Sequence, residues 1–372
     1  MKALRVLVVM PLATARGGAE TNFRQLMLHA RGHGVEWIVV FLRDGPMVTE
    51  MRALGLDVRV IQAGRFRNWP KRLRAIRRVA RLATSRKVDL IFGWMVAGQL
   101  TAGAAALIAR VPCIWFQAGT PRPDWLDRVS TFLPARGVIV VSCAAGAAQA
   151  RVWPPRRQWL VYPGASLDAF DPSRLPTPAA VRSKLGLPAE GPLIGIAGRL
   201  QRWKGMHVFI AAIPRIRESH PNVHAVIVGG AHETEPQYGA ELRAQVHTLG
   251  LDNAITFAGF QPNVAEWVQA MDVFVHASDA EPFGIVVVEA MALGKPVVAG
   301  AAGGPAEIIT DGETGLLAPY GDAESLAQTV LRYLDDHALA ARIGAAARIR
   351  AAAFDDRTFA ANIIAALREA VS

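Results

Sequence analysis

Two carboxylates, Glu281 and Glu289, stand eight positions apart around a Pro282-Phe283-Gly284 turn and an apolar run. Apolar segments on both sides predict strand, turn, helix and strand, the repeating unit of a parallel sheet. Ligands of such sheets bind at the carboxyl ends of the strands, where this turn would lie. With a rise of about 1.5 Å per helical residue, the two acids would stand roughly 10 Å apart. That spacing suits a long polyhydroxylated ligand better than a single reacting bond.

A cationic pair, Arg199 and Lys204, follows the apolar run 193–197. Arginine offers a planar fork of donors and lysine a mobile point charge, so together they could clamp a diphosphate. The alternative is that both are surface charges on a loop. Their position after a strand favours phosphate binding, because that end of a parallel sheet is where ligands bind.

Adjacent glycines occur in two further predicted turns, Arg16-Gly17-Gly18 and Gly303-Gly304. Glycine lets backbone N–H groups approach a phosphate at a helix N-terminus. Neither turn has the Gly-x-Gly-x-x-Gly or Walker pattern, so a nicotinamide cofactor and a P-loop are not indicated.

Other titratable residues near these turns are expected to be structural. Glu307, close to a predicted helix N-terminus, would be stabilised there by the helix dipole. We interpret His276, five residues before Glu281, as a core or strand-cap histidine. The sequence contains no metal-ligand spacing and no Gly-x-Ser-x-Gly nucleophile elbow.

The 372 residues, 52% hydrophobic and 19% charged, are enough for two globular domains. Alternating apolar runs and amphipathic stretches predict an α/β fold of two Rossmann-like domains that face each other across a cleft. We place the domains at 1–170 and 171–355, with a linker within 163–192 and a helix at about 356–372 that packs back on the first domain. The predicted strands are 4–9, 35–41, 58–62, 90–94, 113–116, 138–142, 159–162, 193–197, 223–228, 255–257, 273–276, 296–299 and 316–318.

Two segments could be mistaken for membrane or export signals. Residues 1–15 combine early cations with small residues, but 4–9 makes a good buried first strand, which we favour over a cleaved signal. Residues 90–109 carry no charge, but Gly and Ala dominate them. A strand at 90–94 and a helix at 99–109 are therefore favoured over a membrane span. Cys113 and Cys143 both lie in apolar runs and are predicted to be buried thiols without a disulfide.

Charge is unevenly distributed along the chain. Residues 1–180 hold 26 Lys and Arg against 10 Asp and Glu, whereas residues 181–372 hold 15 against 21. Residues 64–87 alone contain ten cations and no acid, and an apolar set at helical spacing predicts a basic amphipathic helix there: Trp69, Leu73, Ile76, Ala80 and Ala83. The helix could simply dock on its own domain, or it could contact anionic lipid headgroups. Nucleic acid is the weakest alternative, because no zinc site, recognition helix or RNA-binding aromatic pattern is present.

Taken together, these motifs resemble glycosyltransferase family 4, the retaining nucleotide-sugar glycosyltransferases of the GT-B fold within the glycosyl transferases group 1. The resemblance rests on Gly17-Gly18, Arg199 with Lys204-Gly205, the Glu281-x7-Glu289 pair, and Gly303-Gly304. It is strong over about residues 190–330 and weaker over the first half, which in this family varies with the acceptor.

The resemblance implies a role for each acidic and basic residue. Arg199 and Lys204 would bind the donor diphosphate and neutralise charge as the sugar–phosphate bond breaks. Glu289 would accept hydrogen bonds from the ribose hydroxyls, and Glu281 would hold a sugar hydroxyl. The resemblance therefore makes Glu281, Arg199 and Lys204 the catalytic set.

The resemblance also implies backbone contacts with the donor. Amides at Phe283, Gly284 and Ile285 would touch the sugar and phosphate, and Gly17 and Gly18 would close over the diphosphate from the other domain. Family members of this fold generally need no metal or other cofactor.

One position departs from the family pattern. Many relatives carry a sugar-contacting histidine after the strand that corresponds to 113–116, where this chain has Gln117. Glutamine does not titrate but can still form a hydrogen bond with a sugar.

We therefore expect a hexosyltransferase that moves a sugar from a nucleoside-diphosphate sugar to an acceptor hydroxyl, with retention of configuration. A lipid-linked or cell-envelope glycan acceptor, as in polysaccharide biosynthesis, would fit a cytoplasmic protein whose basic helix (72–81) contacts the inner face of the membrane. No nucleic-acid partner is expected. The alternatives are a GT-B epimerase or phosphorylase, a soluble small-molecule glycosyltransferase, or a non-catalytic binding module. No residue identifies the donor base, because main chain often makes such contacts.

Overall fold

The computed structural model describes residues 3–14, 17–30, 32–64, 68–122 and 124–372. The chain divides into two compact units, Met1–Gly164 with Asp356–Ser372, and Ala165–Asp355. The N-terminal segment of the first unit thus ends at Gly164, whereas the sequence placed this boundary at residue 170.

The first unit contains a parallel sheet of seven strands within the described residues. Its strands are β1 (Leu4–Met10), β2 (Val35–Phe41), β3 (Asp57–Val60), β4 (Leu90–Trp94), β5 (Cys113–Gln117), β6 (Val138–Val140) and β7 (Gln158–Leu160). They lie in the order β3-β2-β1-β4-β5-β6-β7. The central strand β1 pairs Val6 with Trp37 on one side and with Leu90 on the other. Its apolar run is buried on both faces, as is typical of a parallel sheet.

Helices connect these strands and cover the sheet. They are α1 (Gly18–His29), α2 (Pro46–Ala53), α3 (Trp69–Ser85), α4 (Met95–Ala109), α5 (Trp125–Phe132) and α6 (Cys143–Ala150). Small residues fill α4 and let it approach its neighbours closely, and it packs against both α3 and α5.

The second unit contains a parallel sheet of six strands within its described residues. The strands are β8 (Leu193–Ala197), β9 (His224–Val228), β10 (Ile255–Gly259), β11 (Val273–His276), β12 (Val297–Gly300) and β13 (Leu316–Ala318), in the order β10-β9-β8-β11-β12-β13. The strand order reverses between β8 and β11, which is the switch point where ligands bind in such sheets.

The helices of the second unit flank its sheet. They are α7 (Pro178–Leu185), α8 (Met206–Ser219), α9 (Tyr238–Thr248), α10 (Val264–Ala270), α11 (Ile285–Ala292), α12 (Pro305–Ile308), α13 (Ala323–Asp335) and α14 (His337–Ala351). Short 3₁₀ segments lie at Pro172–Arg174, Arg202–Lys204 and Ala352–Phe354. Because α7 and the first 3₁₀ segment lie within 163–192, only part of that segment is the expected linker.

The last helix, α15 (Asp356–Val371), belongs to the first unit. It packs against α1, and its Phe359 ring lies 6.0 Å from that of Phe116 on β5. The end of the chain therefore completes the core of the unit that contains its beginning.

All of the predicted strands are confirmed, with ends that differ by no more than two residues. The expected helix at 99–109 begins earlier, at Met95, directly after β4. Among the described residues, no helix combines the length and the apolar character that crossing a bilayer requires.

Two predictions about burial are wrong. Cys143 is exposed, whereas Cys113 is buried as expected. The reason is that Cys143 opens α6 directly after its N-cap Ser142 instead of continuing the strand into the core.

The apolar face predicted for α3 is also partly wrong. Trp69 and Leu73 are 70% and 44% exposed. Ala80 and Ala83 are buried as predicted. The other buried positions are Arg72, Ala75 and Val79, and α3 packs closely against α4. Residues 65–67 of the basic stretch lie outside the described residues.

Candidate functional site

The loop after β8 is fixed against the loop after β11 by a glycine. Gly205 has φ +75°, and a Cβ there would stand 1.9 Å from the carbonyl oxygen of Ala277. Only glycine allows both this conformation and this approach. Asp279 N–H also donates to the Trp203 carbonyl oxygen at 2.8 Å. The backbone on either side of Lys204 is therefore held against the residues that lead to Glu281.

Lys204 and Glu281 meet directly in the structure. Lys204 Nζ lies 2.5 Å from Glu281 Oε2, and both side chains are largely buried. The ammonium also lies 4.1 Å from the centroid of the Trp203 ring, a distance at which a cation is attracted to the ring face. The basic and acidic motifs, far apart in sequence, thus form one ion pair.

His276 is the second partner of Glu281. Its Nε2 lies 3.3 Å from Glu281 Oε2 and 3.1 Å from Ser278 Oγ, and the ring is buried at the end of β11. Its Nδ1 is buried without a hydrogen-bond partner among the described residues. We assign the Nε2–H tautomer, because it donates to the carboxylate and leaves only an acceptor unpaired. His276 was expected to be structural, and it contacts a predicted site residue.

The environment keeps Glu281 ionised. Burial alone would raise its pKa, but the charge of Lys204 and the hydrogen bond from His276 outweigh burial and lower the pKa to about 2. A carboxylate with so low a pKa is a poor proton acceptor at neutral pH. Its chemistry is therefore that of a fixed negative hydrogen-bond acceptor rather than a general base.

The turn Gly303-Gly304 packs against the backbone of the Glu281 loop. A Cβ on Gly303 would stand 2.3 Å from the Glu281 carbonyl oxygen, and a Cβ on Gly304 would stand 2.2 Å from the Phe283 Cα. Gly304 N–H donates to the Glu281 carbonyl oxygen at 2.8 Å. These glycines hold the acidic loop in place because no side chain separates the two backbones.

Helix α11 starts directly after this loop. Gly284, with φ +101°, is its N-cap, and a helix leaves its first N–H groups without intrahelical partners. Those of Ile285 and Val286 are therefore available to an anion. Phe283, Gly284 and Ile285 thus occupy the helix start that the sequence predicted.

Glu289 lies in the second turn of α11 and is half-buried. Among the described residues it has no hydrogen-bond or ion-pair partner. Burial raises its pKa to about 8. A half-buried carboxyl group without a partner is stabilised when a ligand donates hydrogen bonds to it.

Arg199 is held by a histidine rather than by an acid. Its Nη1 lies 3.2 Å from His232 Nε2, and His232 Nδ1 lies 2.8 Å from Thr234 Oγ1. Because a guanidinium only donates, Nε2 accepts from Arg199. Arg199 pairs with no carboxylate among the described residues, so its charge is available to an anionic ligand.

The predicted residues of the first unit have their own local roles. Gly17 is the N-cap of α1 and Gly18 its first residue, whereas Arg16 lies outside the described residues. Gln117 ends β5, is buried, and donates to Asp127 Oδ1 at 3.2 Å. Their contacts with a donor stay predictions.

Sequence reasoning missed Trp203 and Ser278 as neighbours of the site and did not predict the contact between His276 and Glu281. The available signal was position, because Trp203 precedes Lys204 and the two others lie at the end of β11 just before Glu281. Among the described residues, no group of three His, Cys, Asp or Glu side chains could hold a metal ion.

Comparison with known families agrees with this geometry. Residues 179–350 match the profile of a family described as glycosyl transferases group 1. The matched segment is somewhat less than half of the chain. The group 1 segment contains Arg199, Lys204, Glu281 and Glu289, the four charged residues assembled above.

Curated relatives match about half of the chain. The lipopolysaccharide core biosynthesis glycosyltransferase LpsE of Rhizobium meliloti is 34% identical over 165 residues, which are 44% of this chain and 46% of LpsE. A D-inositol 3-phosphate glycosyltransferase of Xylanimonas cellulosilytica is 37% identical over 195 residues, 51% of this chain and 46% of that protein. The match therefore spans about half the length of these curated relatives.

A solved structure resembles the whole chain. Anabaena HepE, crystallised in complex with UDP, has a TM-score of 0.86 and 28% identity, and the match covers 98% of this chain and all of that one. The same protein has been solved with UDP-glucose. The predicted fold class, an α/β protein with two Rossmann-like domains of GT-B type, is confirmed.

Proposed function

We propose that the protein is a glycosyltransferase that moves a hexose from a nucleoside-diphosphate sugar to an acceptor hydroxyl. The observation that carries the proposal is the Lys204–Glu281 pair, held by His276 beside the start of α11, with the unpartnered Glu289 one turn further on. Such a site offers cations and helix amides to a diphosphate and carboxylates to hydroxyl groups. A nucleoside-diphosphate sugar carries both kinds of group.

Charge neutralisation would drive breakage of the sugar–phosphate bond. Negative charge grows on the departing diphosphate, and Arg199, Lys204 and the first amides of α11 would stabilise it. An arriving diphosphate would compete with Glu281 for Lys204, which frees the Glu281 carboxylate to accept a hydrogen bond from a sugar hydroxyl. Glu289 would accept from the ribose hydroxyls.

We propose that the reaction retains the anomeric configuration. An inverting reaction needs a base that activates the acceptor on the opposite face of the sugar, and Glu281 is a poor base because its pKa is about 2. The departing phosphate would take the acceptor proton instead. Proton NMR of the first product formed from UDP-glucose tests this: an α-glycoside agrees with retention, and a β-glycoside contradicts it.

We propose that UDP is the nucleotide of the sugar donor. The support is the likeness to HepE, which was solved with UDP and UDP-glucose. A thermal-shift screen of UDP, GDP and ADP tests it, because a ligand that binds only the folded state raises the melting temperature. We expect UDP to give the largest shift, and Glu289→Gln to abolish it. A larger shift with GDP or ADP would overturn the choice of base.

We propose a hydroxyl of an envelope glycan or lipid-linked sugar as the acceptor. LpsE acts in lipopolysaccharide core biosynthesis by its description, and the first unit of this chain is strongly cationic. The α3 face exposes Lys71, Arg74, Arg77, Arg78 and Arg81, and none of them pairs with a described carboxylate. With Gln62 they line a groove of about 510 Å³.

This cationic face would hold the protein to anionic membranes. Each cation near such a surface contributes on the order of 1 kcal/mol of binding. Arg72, which the sequence grouped with these cations, is buried and is left out of the face. Changing Arg74, Arg77, Arg78 and Arg81 to Gln should reduce co-sedimentation with phosphatidylglycerol vesicles at low salt by at least about tenfold. Unchanged sedimentation would remove the membrane proposal and leave the transferase proposal standing.

A further inference from the structure

Helix α5 displays an apolar stripe. Trp125, Val129 and Phe132 follow the i, i+4, i+7 spacing that places residues on one side of a helix. Trp125 is 62% exposed and Phe132 63%. Beside them, Trp153 is 68% exposed, and its ring centroid lies 6.0 Å from that of Phe132. We call these four residues the α5 ridge.

The ridge is held rigidly at the N-terminal end of its helix. Asp124 Oδ1 accepts the Asp127 N–H at 2.9 Å as the N-cap. Asp127 is buried, accepts from Gln117, and also accepts the Arg122 N–H at 2.7 Å.

The C-terminal end is fixed by one guanidinium. Arg156 donates to the carbonyl oxygens of Thr131, Phe132 and Leu133 at 2.9 to 3.1 Å. These are the carbonyls that a helix end leaves without partners. The aromatic side chains therefore project from a fixed helix, and not from a frayed segment that would fold over them.

Cations surround the ridge. Arg128 on α5, Arg136 after it and Arg151 beside Trp153 are exposed, and none of them pairs with a described carboxylate. Asp124 is an exposed acid at the start of the helix, where its carboxylate already serves as the cap. Exposed aromatic rings flanked by arginines match the interface of an anionic bilayer.

The ridge continues the cationic face of α3. Both helices belong to the first unit, and α4 packs between them. Successive crossovers from β3 to β4, β5 and β6 are right-handed as a rule, which puts α3, α4 and α5 on one side of the sheet. The exposed Leu107 and Ile108 at the end of α4 lie in the same layer.

We propose that the α5 ridge is the hydrophobic anchor of a membrane-docking face, inserting into the headgroup zone of an anionic bilayer while the α3 cations bind its surface. The inference rests on the peripheral membrane contact proposed above. A second copy of the chain fits the ridge less well, since a symmetric contact would bring Arg128, Arg136 and Arg151 of both copies together.

Vesicle binding of a ridge variant tests the anchor. In the full chain, Trp125→Ser with Phe132→Ser is compared with Ile349→Ser, an exposed apolar residue on α14 of the other unit. Vesicles contain phosphatidylglycerol and phosphatidylcholine, and binding is measured at low and high salt. We expect the ridge variant to bind roughly tenfold more weakly or worse, and the control to match the wild type.

The salt dependence of vesicle binding distinguishes the contribution of the α5 ridge from that of the α3 cations. Apolar insertion is insensitive to salt, whereas charge attraction is screened. The wild type should keep part of its binding at high salt, and the ridge variant should lose all of it. Equal binding of the ridge variant and the wild type in both conditions overturns the anchor.

Two controls keep the result specific. If the wild type is a dimer by light scattering and the ridge variant a monomer, the ridge is an interface between copies and the proposal is wrong. The UDP-induced thermal shift should be the same in wild type and variant, which shows that the variant is folded. A missing shift in both would contradict the transferase proposal without affecting the vesicle comparison.

Discussion

At the scale of single residues, the two acids of the site have different surroundings. Lys204 and His276 both face one oxygen of Glu281, whereas Glu289 faces no described partner. Pairing of the first acid lowers its pKa and isolation of the second raises its pKa. Two carboxylates of one motif thus differ in protonation because their surroundings differ, and this difference can be tested.

Removing Lys204 should weaken both stability and turnover. Lys204→Met leaves a buried carboxylate with one partner, which costs about 3 kcal/mol in the free energy of unfolding. Loss of diphosphate stabilisation should slow transfer from UDP-glucose by about 100-fold or more. Urea denaturation at pH 7 and initial rates measure the two effects.

The control is Lys184→Met, which breaks the more exposed Lys184–Glu266 pair and should cost less than about 1 kcal/mol. The pKa of Glu281 is depressed, so its pairing stabilises the fold above its ordinary value of 4.5 and is lost as pH falls toward about 2. The cost of Lys204→Met should therefore shrink in acid. An equal cost at pH 7 and pH 3 would contradict the assignment.

Glu289→Gln should stabilise the unliganded protein at alkaline pH. The folded pKa of about 8 lies above the ordinary value of 4.5, so wild-type stability falls as pH rises between those values and is level above them. Glutamine removes this dependence, and the melting temperature of the variant should exceed that of the wild type by about 3 °C at pH 8.

Differential scanning fluorimetry from pH 5 to 9 measures the difference. Glu313→Gln, at an exposed position, is the matched control and should follow the wild type throughout. A Glu289→Gln curve parallel to the wild type would show that the carboxyl is not isolated.

The sequence predicted some residues of the site well and others poorly. The sequence placed Lys204 and Glu281 in one site, because both motifs follow strands of one sheet, but it did not predict that the two side chains form an ion pair. His276 is buried at the end of its strand as predicted, but only the fold shows which carboxylate its Nε2 faces. Trp203 had no signal beyond its place in the loop, since an aromatic residue beside a lysine is common in sequences.

At the scale of elements, the site depends on two loops in backbone contact. Gly304 has φ −58°, which any residue adopts, so its role lies in space alone. Gly304→Ala should push the Phe283 backbone away and destabilise the second unit by about 2 kcal/mol. UDP binding should weaken with it, because the start of α11 moves.

Gly239→Ala is the matched control for this prediction. Gly239 lies in α9, where an added Cβ would meet only Leu200 at 3.4 Å, and alanine favours the helix by up to about 1 kcal/mol. Chemical denaturation should move in opposite directions for the two variants. A loss of stability in both variants, or in neither, would contradict the inference that Gly304 packs directly on the Phe283 backbone.

Elements were predicted better than the faces they bury. Strands of parallel sheets are apolar runs bounded by turns, which single sequences reveal well. Helix α3 shows the limit: Trp69 and Leu73 looked like core residues because they are large and apolar. The face of α3 that packs on the small residues of α4 buries mainly alanine and valine, however, and leaves Trp69 exposed. Periodicity does not report the shape of a neighbouring helix.

At the scale of the whole molecule, the end of the chain returns to the first unit. Phe359 packs on Phe116 and is fully buried. Phe359→Ala should cost about 3–5 kcal/mol in the stability of the first unit. Hydrogen exchange should accelerate in β5 and α1 and stay unchanged in β8 and β11. Faster exchange in both units would contradict their separate cores.

The sequence indicated two units and their sheets, because each half repeats the strand and helix pattern. The unit boundary after Gly164 lies within the predicted linker 163–192. Several Pro and Gly residues of that segment, however, start or end short helices, as Pro178 and Gly186 do for α7. Composition alone does not separate a linker from a run of caps and turns.

The most direct test of the central claim is a calorimetric titration of UDP into the full chain and into Lys204→Met and Glu289→Gln. We expect the wild type to bind UDP and each variant to bind it about 10- to 100-fold more weakly, because Lys204→Met removes a cation that would bind the diphosphate and Glu289→Gln removes a carboxyl group that would bind the ribose hydroxyls. If both variants bound UDP as tightly as the wild type, the cationic and acidic residues assembled here would not be the nucleotide-sugar site.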